Sequence, residues 1–163
     1  MNSKKLIFLL GVMILATGTL AAQNFKYIGA DKCKMCHNKP EKGEQYNKWK
    51  AGPHANAMSS LNAEEAKDPK CLKCHSTAAA VDAKMIATLT ATEGVSCESC
   101  HGPGSLYKSM SVMKSREQSI AKGLIIPDEA LCKTCHNEES PTFKGFDYAE
   151  YSAKIAHPNP LAK

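Results

Sequence analysis

The chain's eight cysteines stand in four pairs of identical spacing, and each pair is followed at once by a histidine. The four copies are Cys33-x-x-Cys36-His37, Cys71-x-x-Cys74-His75, Cys97-x-x-Cys100-His101 and Cys132-x-x-Cys135-His136, and no cysteine lies outside them. This repeat constrains the fold more tightly than any hydropathy pattern in the sequence. Cys-x-x-Cys-His presents two thiols for thioether bonds to the vinyl groups of a haem and sets the histidine beneath the iron as proximal ligand. Neutral imidazole gives one ring nitrogen to iron while a neighbouring acceptor holds its other N–H. Four copies predict four covalently attached haem c groups and an electron-transfer role. Successive first cysteines are 38, 26 and 35 residues apart, an attachment unit repeated without the fixed period of a solenoid.

Two other readings of paired cysteines fail on accounting. A disulfide framework gives no reason for a histidine after every pair. Structural zinc uses Cys-x-x-Cys pairs, but two sites of four thiolates would leave the four histidines surplus.

Residues 1–22 read as a secretory signal peptide, with Lys4-Lys5, an apolar run from Leu6 to Leu15, and small residues from Thr17 to Ala22. The run is roughly half of the ~20 residues that span a bilayer. No cysteine stands at the cleavage position to take a lipid. The expected product is residues 23–163, one tetrahaem domain, periplasmic or otherwise exported. Only 6% of the chain is aromatic, with Trp49 its one tryptophan. So small an apolar inventory struggles to build a core by itself, and four porphyrins would complete it. The expected fold class is therefore mainly α, with short helices and loops packed around four covalently bound haems and little or no sheet. The haem-free chain is expected to be largely unfolded, and folded-like circular dichroism of apo-protein would refute that.

The formal charge of +5 falls to +3 once Lys4 and Lys5 leave with the signal. Each ferric haem with both propionates ionised adds about −1, which brings the whole to roughly −1 and removes the main support for nucleic acid as a partner. Any basic docking patch must be local.

Taken in order, Asp31 after Gly29 is a candidate helix N-cap. A short helix is expected from Glu44 to Lys50, ended by Gly52-Pro53. Pro53 then opens a second helix through Leu61, on which His54, Met58 and Leu61 share a face. Residues 62–70 read as a solvated connection, and 76–95 as either helix or mobile loop. Leu106, Met110, Met113 and Ile120 fall in helical register, with Gly123 ending the segment. Pro127-Asp128 is expected to begin a helix carrying the fourth motif. A last helix, from Glu150 to Ala156, leads into His157-Pro-Asn-Pro160.

Ligand counting sharpens this. Four haems with two histidines each need eight, and the chain has six. His37, His75, His101 and His136 are proximal; His54 and His157 are distal candidates. Unless another chain supplies histidine, at least two haems lack one on the distal side, and methionine there raises the reduction potential. Met35 is too constrained within its own motif, Met58 reads as packing, and Met85 stays open. Met110 or Met113 could supply a thioether, or both could fill gaps beside porphyrin.

The run Gly94-Val-Ser-Cys-Glu-Ser-Cys-His-Gly-Pro-Gly104, the pattern Trp49…His54-Ala-x-Ala-Met-x-x-Leu61, the first and fourth motifs and the late His157 together resemble the cytochrome c-554 family of tetrahaem cytochromes. The resemblance implies a mostly helical fold with stacked haem pairs. It implies His54 as distal ligand of the fourth haem, His157 as distal ligand of the third, and no distal ligand on the second, held by His75. In the family the first haem takes a histidine from the segment after the third motif. Here that segment holds Met110 and Met113, and no histidine follows His101 until His136. Three roles are open: a carrier between electron-donor and electron-acceptor redox proteins, a haem enzyme reducing nitric oxide or a related small nitrogen species at His75, or a haem subunit of a membrane-bound redox complex.

Overall fold

The computed structural model describes residues 23–161, so the expected signal peptide lies outside the described residues. The described chain is mainly helical, in short pieces. Three motifs end a helix on their histidine: α1 (Asp31–His37), α3 (Pro69–His75) and α5 (Cys97–His101). Within one helical turn the two cysteines and the histidine fall on neighbouring faces, as a single planar ligand requires. Asp68 caps α3 by accepting from the Lys70 N–H at 2.8 Å, with Pro69 at its first position. Gly102 stops α5 at φ +73°, and a Cβ there would lie 2.4 Å from the Gly123 carbonyl oxygen.

The other helices are α2 (Gln45–Ala51), α4 (Thr77–Ala80), α6 (Met110–Met113), α7 (Arg116–Ala121), α8 (Glu129–Cys132) and α9 (Tyr148–Ile155). α2 and α9 lie within a residue or two of their expected positions. Residues 76–95 resolve into α4, two single 3-10 turns and an isolated parallel bridge between Tyr27 and Ile86. No strand forms among the described residues, in keeping with the expected fold class.

Four local expectations are corrected. Pro53–Leu61 is a run of turns closing in a 3-10 helix at Ala57–Ser60, so the shared face of His54, Met58 and Leu61 does not exist. The His54 carbonyl accepts from Val95 N–H at 2.9 Å, and the Asn56 side chain bonds the Gly52 carbonyl at 2.9 Å; both engage backbone that a helix would need. The register from Leu106 to Ile120 breaks at Lys114–Ser115, because Ser115 caps a new helix through the Gln118 N–H. The α8 helix reaches only the first cysteine of the fourth motif, leaving Cys135 and His136 in turns. Ala30, not Asp31, occupies the N-cap of α1; the Asp31 carboxylate instead accepts from the Tyr46 hydroxyl at 2.9 Å.

The buried apolar set is small: Ile28, Ala30, Tyr46, Ala55, Leu89 and Tyr107. It surrounds the third motif, whose Glu98 is 1% exposed. That carboxylate ties the entering chain down by accepting from the backbone N–H groups of Ile28 (2.9 and 3.0 Å), Gly29 (2.7 Å) and Gly104 (2.6 Å). Glu93 repeats the device on Ala30 N–H at 2.8 Å and on the Ser96 hydroxyl at 3.0 Å. Among the described residues no helix is long and apolar enough to cross a membrane.

Candidate functional site

The motifs, far apart in sequence, meet in space through their cysteines. The Cys33 and Cys97 thiols lie close enough to perturb each other, which sets the first motif against the third. Cys74 and Cys135 are likewise close enough to perturb one another, and Lys73 and Glu139 form an exposed ion pair across the second and fourth motifs. Cys100 feels the charge of Cys132 and Cys135, which links the third motif to the fourth. Burial pushes Cys74 and Cys100 each up to about 11, so these sulfurs lie in poorly hydrated surroundings.

The histidines pair across motifs. The rings of His54 and His136 stand with centroids 6.0 Å apart, and those of His101 and His157 also 6.0 Å apart. Among the described residues neither His37 nor His75 has a histidine ring paired with it. Burial lowers the proton affinity of His37, His54, His101 and His136, favouring the neutral form a metal ligand needs.

Acceptors set the ring orientations. His75 Nδ1 lies 2.8 Å from the Ala57 carbonyl oxygen, with the Ser60 hydroxyl at 3.3 Å. His157 Nδ1 lies 2.8 Å from the Ile155 carbonyl oxygen. Donation from Nδ1 leaves Nε2 of each ring free to coordinate. His101 has the Ile125 backbone as its hydrogen-bond partner, and the Tyr107 hydroxyl holds this corner by donating to the carbonyls of His101 and Gly102, both at 3.0 Å. His136 stacks on Phe146 at 4.9 Å and leans on Tyr151.

The methionines are less settled by packing. Met110 is 63% exposed, whereas Met113 is half-buried with its sulfur 3.9 Å from the Ser119 hydroxyl. Both sit on the single turn of α6. Met35 projects into solvent. Sequence reasoning missed the carbonyls of Ala57, Ile125 and Ile155, which carry no side-chain signal. It also missed Glu98, although that residue lies inside the run that carried the family resemblance.

The family model described as cytochrome c554 and c-prime matches residues 32–102. Cytochrome c-554 of Nitrosomonas europaea is 30% identical over 166 residues, an alignment covering 80% of this chain and 66% of that protein. The chain belongs to the cytochrome c-554 family. It spans just under two thirds of that relative's length, and no solved structure matches it. Membership of the cytochrome c-554 family implies covalently bound haem c. The donor set fits that group. With metal–nitrogen bonds of about 2.0 Å and about 1.2 Å from nitrogen to ring centre, two imidazoles trans on one metal have centroids roughly 6.4 Å apart. Both cross-motif pairs stand close to that separation.

Proposed function

We propose that the protein is an exported electron carrier holding four haem c groups, with residues 1–22 removed as a signal peptide. Cys33 and Cys36, Cys71 and Cys74, Cys97 and Cys100, and Cys132 and Cys135 attach the four groups. His37, His75, His101 and His136 are their proximal ligands, His54 is distal to His136, and His157 is distal to His101. The single observation that carries this reading is the pair of cross-motif histidine contacts, each at the separation of two axial ligands on one metal. The haem supplies reversible one-electron chemistry at iron. The protein's own part is to bury the rings of His37, His54, His101 and His136, to orient those of His75 and His157 through the Ala57 and Ile155 carbonyls, and to keep the attachment sites close together.

The contacts between motifs support an order. First and third meet at Cys33 and Cys97, third and fourth at Cys100 and Cys132, and fourth and second at Cys135 and Cys74. Groups held by these motifs would form a chain from the first through the third and fourth to the second, able to relay electrons between a donor and an acceptor redox protein. Intact-protein mass spectrometry and a pyridine haemochrome assay test the count: four haems per chain are expected, and any smaller number refutes the reading.

One observation favours a second reading. His75 has no paired histidine ring, and its Nδ1 already faces Ala57 and Ser60. A haem held there with an open sixth position would bind and reduce nitric oxide or a related nitrogen species. A high-spin signal, with a spectral shift when the reduced protein meets nitric oxide or carbon monoxide, would favour it, and turnover must then be measured. Wholly low-spin, unresponsive haems leave the carrier alone. Copurification with a membrane redox complex would make the chain a subunit of that complex.

A further inference from the structure

Three of the histidine rings have backbone partners: His75 has Ala57, His157 has Ile155 and His101 has Ile125. His37 is different. The polar side chain that bears on its ring is the amide of Gln45, the first residue of α2. A tight turn brings Gln45 beneath the end of α1, with Gly43 at φ +96° and Glu44 at φ +51° in the left-handed region. Gly43 also passes so close to the tail that a Cβ there would stand 2.5 Å from the Pro158 carbonyl oxygen. At this junction the Gln45 Nε2 donates to the Lys42 carbonyl and approaches the Pro158 carbonyl oxygen at 3.4 Å. That use of the nitrogen leaves the oxygen for the other side. The Gln45 Oε1 is buried and has no hydrogen-bond partner among the described residues. An amide oxygen buried without a partner is costly unless a donor turns to it, and the His37 ring, on which Gln45 bears, can supply that N–H.

We propose that Gln45 is a positioning residue for the first haem: its Oε1 accepts the His37 ring N–H, while its Nε2 holds the chain just beyond His157. The proposal rests on the reading that His37 and His157 are axial ligands of the first and third haems. Acceptance of the N–H fixes the tautomer and plane of the His37 ring and strengthens the imidazole as an electron donor to iron. A better donor favours the oxidised iron, so Gln45 holds the potential of that one haem down. Where His75, His101 and His157 rely on backbone that substitution cannot remove, this acceptor is a side chain and can be changed alone.

The test uses the haem-loaded protein with Gln45→Leu, which keeps the bulk without the acceptor, and Gln45→Glu, which offers an anionic one. Spectroelectrochemical titration, with electron paramagnetic resonance to assign each iron, reads the four couples separately. In Gln45→Leu the reduced-to-oxidised ratio of one haem at fixed ambient potential should rise about tenfold, the lower end of outer-shell effects. That is 59 mV for a one-electron couple. Gln45→Glu should move the same haem the opposite way, and the other three should hold. Unchanged couples in both variants, or the same shift of several haems in both, overturn the proposal. If Gln45→Leu does not load haem, Gln45→Glu decides by itself: a lowered single couple supports the proposal and an unmoved one refutes it. Failure of the underlying reading looks different. Cys33→Ala with Cys36→Ala would then leave the covalent haem mass unaltered, whatever Gln45 does.

Discussion

Glu98→Gln isolates the contact on which the buried centre depends. The native carboxylate accepts from three backbone N–H groups, those of Ile28, Gly29 and Gly104. Glutamine keeps one oxygen and replaces the other with an NH2, which turns donors against donors. At least one of the three N–H groups is then orphaned, at about 1–3 kcal/mol. Loss of a buried negative charge offsets part of this, and the expected net destabilisation at neutral pH is about 2 kcal/mol. Glu98→Ala orphans all three and should exceed about 4 kcal/mol. A pH dependence accompanies it. Burial raises Glu98, the three N–H donors lower it and Glu93 raises it again, and the balance lies above the ordinary carboxylate value. The folded state therefore keeps this proton to a higher pH than the unfolded chain. The group's stabilisation is whole below the unfolded pKa and declines as pH rises through the raised one. Glu98→Gln should remove that decline. Guanidinium unfolding followed by Soret circular dichroism gives the energies, and hydrogen exchange reads the three amides. A change under about 0.5 kcal/mol, the scale of ordinary surface substitutions, with unaltered exchange at Ile28, Gly29 and Gly104, would refute the reasoning.

Four further outcomes follow from the site. Cys132→Ala with Cys135→Ala should remove the mass of one covalent haem and about a quarter of the Soret absorbance, read on the intact protein. His157→Ala and His54→Ala should each convert a different low-spin iron to high spin in the oxidised protein, seen by electron paramagnetic resonance; an unchanged spectrum would remove that histidine from the ligand set. Tyr107→Phe leaves the carbonyls of His101 and Gly102 without their shared donor and should cost about 1–2 kcal/mol in unfolding. Gly94→Ala sets a Cβ 2.8 Å from the His54 carbonyl oxygen at a φ of +65°, so it should cost at least about 2 kcal/mol and disturb the iron that His54 faces, read by unfolding and by the same resonance.

Much of this was legible because it rests on covalent spacing or on capping chemistry. Four repeats that consume every cysteine leave little freedom in the motif geometry, and Gly52 marks the end of α2 as expected. The resemblance set His54 opposite His136 and His157 opposite His101, and those are the rings the fold brings to 6.0 Å. What stayed hidden depends on backbone groups of remote residues. Nothing in the spacing of His54, Met58 and Leu61 reveals that the His54 carbonyl is bound by Val95 N–H, which turns an apparent helix into a loop. A glutamate within a haem-attachment motif reads as exposed until the N–H groups of residues 28, 29 and 104 are seen around it.

The failure of apolar periodicity here has a physical cause. Helices that pack against helices need a stripe several turns long, whereas one that presents a motif to a planar group needs little more than one turn. The described helices accordingly run from four residues, as in Met110–Met113, to eight, as in Tyr148–Ile155. Pieces so short do not hold themselves in water. Four of them begin with a side-chain cap, Asp68 on Lys70 N–H, Ser115 on Gln118 N–H, Asp128 on Leu131 N–H and Asp147 on Glu150 N–H, and Asp82 caps a 3-10 turn on Lys84 N–H. At about 1 kcal/mol each, these caps add appreciably to so sparse an apolar core. Where helices are this short, a capping aspartate or serine marks a helix start that an apolar stripe does not reveal. Ser115 does so here, splitting α6 from α7 across an unbroken apolar register.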